Sequence, residues 1–321
     1  MNLQAICSFF VSGQNITLSQ QPRVRQRLAL GATPRDIDMN GDIASGQMYV
    51  QGFIQQHPVS PVPLVLWHGG GMTGVNWETT PDGRPGWLQW LLDEGWNVYV
   101  CDAVERGRAS WSPYPEVWPQ APLFRTKNEA WQMFRIGPAA GYHSDPGRRV
   151  AFSNSRFPQA SFDDFACQWV PRWSGNEAIT LRAYHALLDK IGPCIVIGHS
   201  QGGGFALDIA RQRPRDVLAV VALEPSGAPD THPREASYPP HLALWGDGFQ
   251  QHVRWQRYRQ RVEIYFNWLR AGGTRVDEID LPALGIYGNS HFLMLDDNAQ
   301  HLLSRVTEWL TSLACIQAAR G

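Results

Sequence analysis

One stretch constrains the fold of this 321-residue chain more than any other. The apolar run Cys194-Ile195-Val196-Ile197 leads into Gly198-His199-Ser200-Gln201-Gly202, and a helical pattern follows from Gly203 to Gln212. A serine on so tight a strand-to-helix turn adopts a strained backbone, and the residues two before and two after it must be almost without side chain for strand and helix to close on one another. The G-x-S-x-G spacing meets that demand, so the segment reads as a buried parallel strand, a nucleophile elbow and a helix, with the Ser200 hydroxyl standing above the end of a sheet.

The rest of the chain has the same rhythm. Short apolar runs at 64–67, 97–101, 217–223, 241–245 and 276–281 alternate with helical patterns at 86–94, 127–134, 177–191, 253–270 and 298–314, which predicts an α/β fold with a mostly parallel central sheet covered by helices. Gly46 to Ile54 alternates as an edge strand would. The gap from Asp102 to Glu177 is far too long for an ordinary connection and is rich in Pro, Trp, Phe and Arg. Residues 1–321 are therefore read as one domain carrying a cap or lid insertion at 103–176, after the strand that ends near Asp102. Five of its tryptophans, Trp111, Trp118, Trp131, Trp169 and Trp173, suit a bulky or aromatic substrate, although most belong in the insertion's own core.

His68-Gly69-Gly70-Gly71 follows directly on Leu64-Val65-Leu66-Trp67. An HGGG-type loop upstream of the elbow supplies backbone N–H donors for an oxyanion, and the donors assigned are Gly70 and Gln201, with Gly71 as a third. A phosphate loop would continue with Lys-Ser/Thr, whereas Met72-Thr73 follows here. A triad in the order serine, acid, histidine needs a late histidine just past the last strand, and His291 in Gly288-Asn289-Ser290-His291-Phe292 occupies that place. His199, beside the serine, is read as packing. Two carboxylates end apolar strands, Glu224 in Ala222-Leu223-Glu224-Pro225 and Asp247 in Leu244-Trp245-Gly246-Asp247; spacing alone does not choose between them.

Other features bound the function. The formal charge is −1 and no Lys/Arg block is present, so nothing marks the chain for nucleic acid or an anionic membrane surface. No apolar run approaches the roughly 18 residues of a membrane span. The apolar stretch around Ala5 to Val11 has no positive charge ahead of it and makes a poor signal peptide, so the expectation is cytoplasmic, with secretion left open. Five scattered cysteines include no CxxC pair, and Cys101, Cys167 and Cys194 lie in or beside apolar runs as buried free thiols would. No HExxH or dinucleotide fingerprint occurs, so no metal or organic cofactor is expected. The expected partner is a small, near-neutral ester, and a homodimer is left open.

The segments Trp77-Glu78-Thr79-Thr80-Pro81-Asp82-Gly83-Arg84, Arg106-Gly107-Arg108, Glu224-Pro225 and Leu281-Pro282-Ala283-Leu284-Gly285 running into Gly288-Asn289-Ser290-His291 resemble the bacterial esterase 713-like family of α/β-hydrolases, from about Gln47 to the end. That resemblance implies a Ser, Glu, His triad, which lands on Ser200, Glu224 and His291 and leaves Asp247 as the alternative acid. It also implies a serine esterase acting on a carboxylic ester or lactone through an acyl-enzyme. Arg106 and Arg108 fit a structural role at the turn after their strand. Where the founding member of that family carries two adjacent cysteines in the oxyanion loop, this chain has Gly70-Gly71, so no disulfide behaviour of that loop carries over. Two rival functions use the same elements: a non-hydrolytic acyltransferase or cyclase, separable by product analysis with competing alcohols, and a ligand receptor on a hydrolase fold, recognisable by tight binding without turnover.

Overall fold

The computed structural model describes residues 2–232, 237–314 and 316. In chain order the strands are β1 (Leu3–Val11), β2 (Gln14–Leu18), β3 (Val24–Gln26), β4 (Arg35–Ile37), β5 (Gly41–Ser45), β6 (Met48–Gln55), β7 (Leu64–Trp67), β8 (Val98–Asp102), β9 (Cys194–His199), β10 (Val217–Leu223), β11 (His241–Trp245) and β12 (Val276–Asp280). The α-helices are α1 (Val75–Glu78), α2 (Trp87–Asp93), α3 (Lys127–Met133), α4 (Phe162–Cys167), α5 (Glu177–Ile191), α6 (Gln201–Gln212), α7 (Val253–Ala271) and α8 (Ala299–Thr311).

Eight strands form one sheet in the order β1-β6-β8-β7-β9-β10-β11-β12, in which β6 runs antiparallel to both its neighbours and β7 through β12 pair in parallel. The apolar runs of β7, β9, β10 and β11 are buried almost throughout because helices cover both faces, which is why those strands do not alternate. The helices pack by apolar stripes: α5 buries Thr180, Ala183, Tyr184, Leu187 and Leu188, the i, i+3, i+4 spacing of one helical face. The Tyr184 ring stacks on Trp67 at the end of β7, with centroids 3.6 Å apart.

The sheet extends further than the hydrophobic pattern indicates. The strand at 48–55 is not an edge: β1 pairs along it from Leu3 to Val11, so the apolar N-terminal stretch is itself the sheet's outermost strand. Between β1 and β6 the chain leaves the sheet for two small antiparallel ribbons, β2 with β5 and β3 with β4. These strands are mostly polar and exposed, and so carry no burial signal. Cys101 and Cys194 are buried, but Cys167 is exposed. It ends a short helix whose buried face is Phe162 and Phe165, so the neighbouring apolar residues face the core and the thiol does not. Cys315 lies outside the described residues.

The 103–176 segment is irregular, with α3, α4 and several single turns, and its aromatic side chains cluster on one another. Trp131 meets Phe162 edge-on at 5.1 Å and Trp111 packs on Trp173 at 5.1 Å between centroids. No described helix is long and apolar enough to cross a membrane.

From β7 the chain steps outward to β8 and then returns to β9 on the other side of β7. Strand order reverses at that point, and the loops leaving the carboxyl ends of β7 and β9 diverge to open a crevice, the place where open α/β sheets bind ligands.

Candidate active site

Both loops at this crevice are built from sequence that leaves them little choice. At the elbow Ser200 takes φ 53° and ψ −114°, a conformation that costs a non-glycine residue energy and is held by its surroundings. Its N–H donates to Leu223 O at 2.9 Å, while its own carbonyl accepts from Ser226 N and Gly204 N. A Cβ on Gly198 would lie 2.5 Å from Gly202 O, and one on Gly202 would lie 2.6 Å from the carbonyl oxygens of Trp67 and His68. The two glycines thus let strand, helix and the neighbouring β7 loop converge. Gln201 opens α6, so its N–H has no acceptor within the helix.

On the β7 side, His68 is buried, with Nε2 accepting the Ala103 N–H at 3.0 Å and Nδ1 donating to Gly69 O at 2.8 Å. Burial pushes its pKa down to about 4, so the ring is a neutral strut between the loop after β7 and the turn after β8. Gly69 packs on the elbow, where an added Cβ would meet His199 and Ser200 at 3.0 and 3.1 Å. Gly70 and Gln201 both line the cavity that contains Ser200; Gly71, at φ 75°, is not among the lining residues, and its carbonyl instead accepts from Val170 N at 3.0 Å.

His291 lies in the same cavity as Ser200. Its Nδ1 is 2.6 Å from Glu224 Oε2, which leaves Nε2 as the ring nitrogen free to serve a hydroxyl. Burial lowers the pKa of the imidazole well below the ordinary histidine value, and the guanidinium charges of Arg135 and Arg125 act in the same direction. The ring stacks against Phe134 and packs at a tilt on Trp255, with centroids 5.8 and 3.9 Å away. Its loop is fixed from several sides. His291 N donates to Phe134 O at 2.9 Å, and His199 Nε2 lies 2.8 Å from His291 O. Asp296 accepts from Ser290 N, Ser290 Oγ and Asn289 Nδ2 at 2.7–2.9 Å. Gly288, at φ 84°, has Asn154 O where a Cβ would be, 1.7 Å away.

The two candidate carboxylates differ sharply in surroundings. Glu224, fully buried at φ 43°, accepts from Gly246 N at 2.9 Å and from Arg135 Nη2 through Oε1, and turns Oε2 to His291. Asp247 caps its own turn: Oδ1 accepts from Gly248 N at 2.6 Å and Oδ2 from Gly288 N at 3.0 Å. The structure therefore brings Ser200, His291 and Glu224 together and leaves Asp247 binding backbone. His199, read as packing, holds the His291 carbonyl.

Two contributors, Arg135 and Trp255, carry no local signal in the sequence. Arg135 compensates the Glu224 charge and donates to Asp247 O at 2.5 Å, although it comes from the middle of the irregular 103–176 segment. Trp255 of α7 lines the cavity, whereas none of Trp111, Trp118, Trp131, Trp169 and Trp173 does. Arg84 donates to Asp296 O and Leu295 O at 3.0 and 2.8 Å, so the Trp77–Arg84 stretch anchors the loop that carries His291. Arg108 binds Asp102 at 2.8 Å and Arg106 donates to Pro171 O at 3.0 Å, tying the turn after β8. Among the described residues no cluster of His, Cys, Asp and Glu could hold a metal ion.

No family model matches the chain. A solved bacterial esterase superposes with a TM-score of 0.82 at 28% identity, covering 100% of this chain and 97% of that one, so the likeness includes the residues ahead of Gln47. A probable secreted lipase, phiG, from a fungal species is 34% identical over 214 residues, 60% of this chain and 52% of that protein. The lipase LipV of Mycobacterium tuberculosis is 41% identical over 64 residues, 19% of this chain and 24% of that protein. The match thus spans about half the length of the first of these curated relatives and a quarter of the second. With this sheet order, and with the esterase likeness running over its whole length, the chain belongs to the α/β-hydrolase superfamily and resembles the bacterial esterases within it.

Proposed function

We propose that the protein is a serine-dependent carboxylic ester hydrolase working through an acyl-enzyme. The observation that carries this reading is a serine at a strained elbow sharing one cavity with a neutral imidazole whose far nitrogen is bound by a buried carboxylate. In this reading Ser200 Oγ attacks the ester carbonyl while His291 Nε2 takes its proton. Glu224 fixes the ring orientation and stabilises the imidazolium that forms. The tetrahedral oxyanion is met by the N–H groups of Gly70 and Gln201, the first of them on a loop that His68 ties to the turn after β8. His291 then protonates the leaving alcohol, and a water deprotonated by the same nitrogen releases the acid. The 103–176 segment acts as the cap, supplying Arg125, Met133, Phe134 and Arg172 to the cavity wall.

The test is covalent labelling. A fluorophosphonate should attach one equivalent at Ser200, located by peptide mass spectrometry, and Ser200→Ala should lose turnover of an activated ester while keeping its circular dichroism spectrum. Attachment at a different serine, or a fully active alanine variant, would refute the assignment.

A further inference from the structure

The cavity at Ser200 has a volume of about 400 Å³ and is unevenly charged. Arg125, Arg172 and Arg254 line it, against two carboxylates, Glu177 and Asp208, and Asp208 is engaged by Arg211 at 2.7 Å. Arg172 forms no ion pair or hydrogen bond through its guanidinium among the described residues, and its Nε is buried without a partner. Arg125 is paired only loosely: its side chain is 9% exposed, its Nε is buried without a partner, and its one hydrogen-bond acceptor among the described residues is the weakly accepting Met133 thioether at 3.8 Å. Glu129 stands 3.6 Å from Arg125 and 3.9 Å from Arg254, beyond hydrogen-bonding reach of both. Arginines kept only for packing are normally paired with carbonyls or carboxylates, as Arg108 is here on Asp102 and Gln51.

Position adds to this. The Arg172 guanidinium lies over Gly70, where Nη1 would be 3.0 Å from a Cβ, so the missing side chain at Gly70 is what admits a cation beside the ester carbonyl. Burial lowers the Arg125 pKa, and Arg172 and Arg254 lower it further against Glu129, so like charges have been gathered at one wall. Two adjacent guanidinium groups with unused donors match a planar anion.

We propose that this site hydrolyses esters that carry a free carboxylate elsewhere in the molecule, bound by Arg172 and Arg125. The proposal rests on the ester-hydrolase reading for its chemistry but on the arginines alone for its recognition. In outline, the carboxylate docks on the guanidinium pair and sets the ester carbonyl at Ser200. Hydrolysis of a half-ester would then leave a dicarboxylate, and hydrolysis of an acylated hydroxy acid would leave the free hydroxy acid.

Two measurements separate the parts. In the first, kcat/KM is compared for mono-p-nitrophenyl glutarate against p-nitrophenyl pentanoate, and for 4-acetoxybenzoate against its methyl ester. At least one anionic substrate should exceed its neutral counterpart tenfold or more, and 0.5 M NaCl should shrink the ratio. Arg172→Gln and, separately, Arg125→Gln should bring the ratio to near unity, whereas a purely structural arginine would lower both rates together and leave the ratio alone. In the second, calorimetry compares monomethyl glutarate with methyl glutaramate on the Ser200→Ala protein, with the carboxylate ligand expected to bind at least tenfold tighter. Ester turnover without charge preference in either pair overturns the carboxylate site and leaves the hydrolase reading standing. Selective carboxylate binding with no turnover of any ester does the reverse, and absence of both turnover and selective binding overturns both.

Discussion

At the residue scale the sharpest question is which acid serves His291, and the backbone sets the two candidates apart. Glu224 and Asp247 each follow an apolar strand, and nothing in their local sequence separates them. Glu224 leaves its strand at φ 43°, which aims the side chain across the end of the sheet towards His291, while both Asp247 oxygens are taken by backbone N–H groups. Removing the orienting carboxylate from a triad of this kind costs about 10⁴-fold in kcat when geometry is kept, by analogy with the aspartate of the serine-protease triad. Glu224→Gln is therefore expected to lower kcat on p-nitrophenyl acetate by three to four orders of magnitude, and Asp247→Asn by less than about tenfold; steady-state kinetics of the two variants checks this, and the opposite ranking would transfer the role to Asp247. Residues whose place at the cavity follows from contiguous motifs, such as Ser200 between its glycines or Gly70 after an apolar strand, are legible in the sequence. Arg135 is not, because an arginine in an irregular stretch announces neither its burial nor its partner, and the resemblance to a family, rather than spacing, is what favours Glu224.

Among the elements, the elbow and the loop after β7 are packed so closely that side chains are excluded on both sides. A Cβ at Gly202 would stand 2.6 Å from two backbone oxygens at the end of β7, and backbone cannot swing away as the tip of a lysine can. Gly202→Ala should accordingly destabilise the protein by about 1–3 kcal/mol, the usual cost of overpacking, and displace the Gly70 donor as well. Urea unfolding of the variant is the measurement, and an unchanged midpoint would show that the two loops yield more readily than their contacts imply. Gly204, one turn on, has its nearest neighbour at 3.3 Å, so alanine there provides a milder control. Helix and strand positions in the β7-to-α8 core could be read from periodicity because burial dictates them. The polar ribbons β2 to β5 and the outermost strand β1 could not, since exposed strands need no apolar pattern and the pairing of β1 with β6 spans some forty residues of intervening chain.

Across the whole molecule, several histidines are held neutral by burial, and this makes stability depend on pH. His68 and His241 are both fully buried with pKa values pushed down to about 4, and His199 and His291 also lie below the ordinary value. The unfolded chain takes up protons at these positions near pH 6.5 and the folded chain does not. Their stabilisation is therefore complete above that pH and is lost as pH falls from about 6.5 towards 4. Asp296 and Glu105, each raised to about 7, act oppositely, since the folded state holds their protons more tightly; their stabilisation is greatest at low pH and disappears as pH rises through 7. His252 is lowered as well, and Glu78 and Glu94 are raised, so five lowered histidines stand against four raised carboxyls; the lowered Asp38, Asp82, Asp102 and Asp163 act with the histidines, and the balance predicts a net loss on acidification. His241, at the start of β11 and away from the carboxyl ends of the strands, isolates one contribution: His241→Gln should reduce the slope of unfolding free energy against pH between 4 and 6.5 by up to about 1.4 kcal/mol per pH unit. Denaturant titrations at several pH values measure that slope, and an unaltered slope would mean that His241 is not held neutral in the fold. The Arg135–Glu224 pair carries a different kind of consequence. Because the charge beside His291 is balanced from within the 103–176 segment, that segment is not an interchangeable module: a lineage that trims it or swaps it for a foreign one strands a carboxylate in the interior, at about 3–5 kcal/mol. Chimaeras across these boundaries should be viable only when a new cation arrives with the graft or the acid moves to another strand, so the length of this insertion and the address of the acid are inherited together.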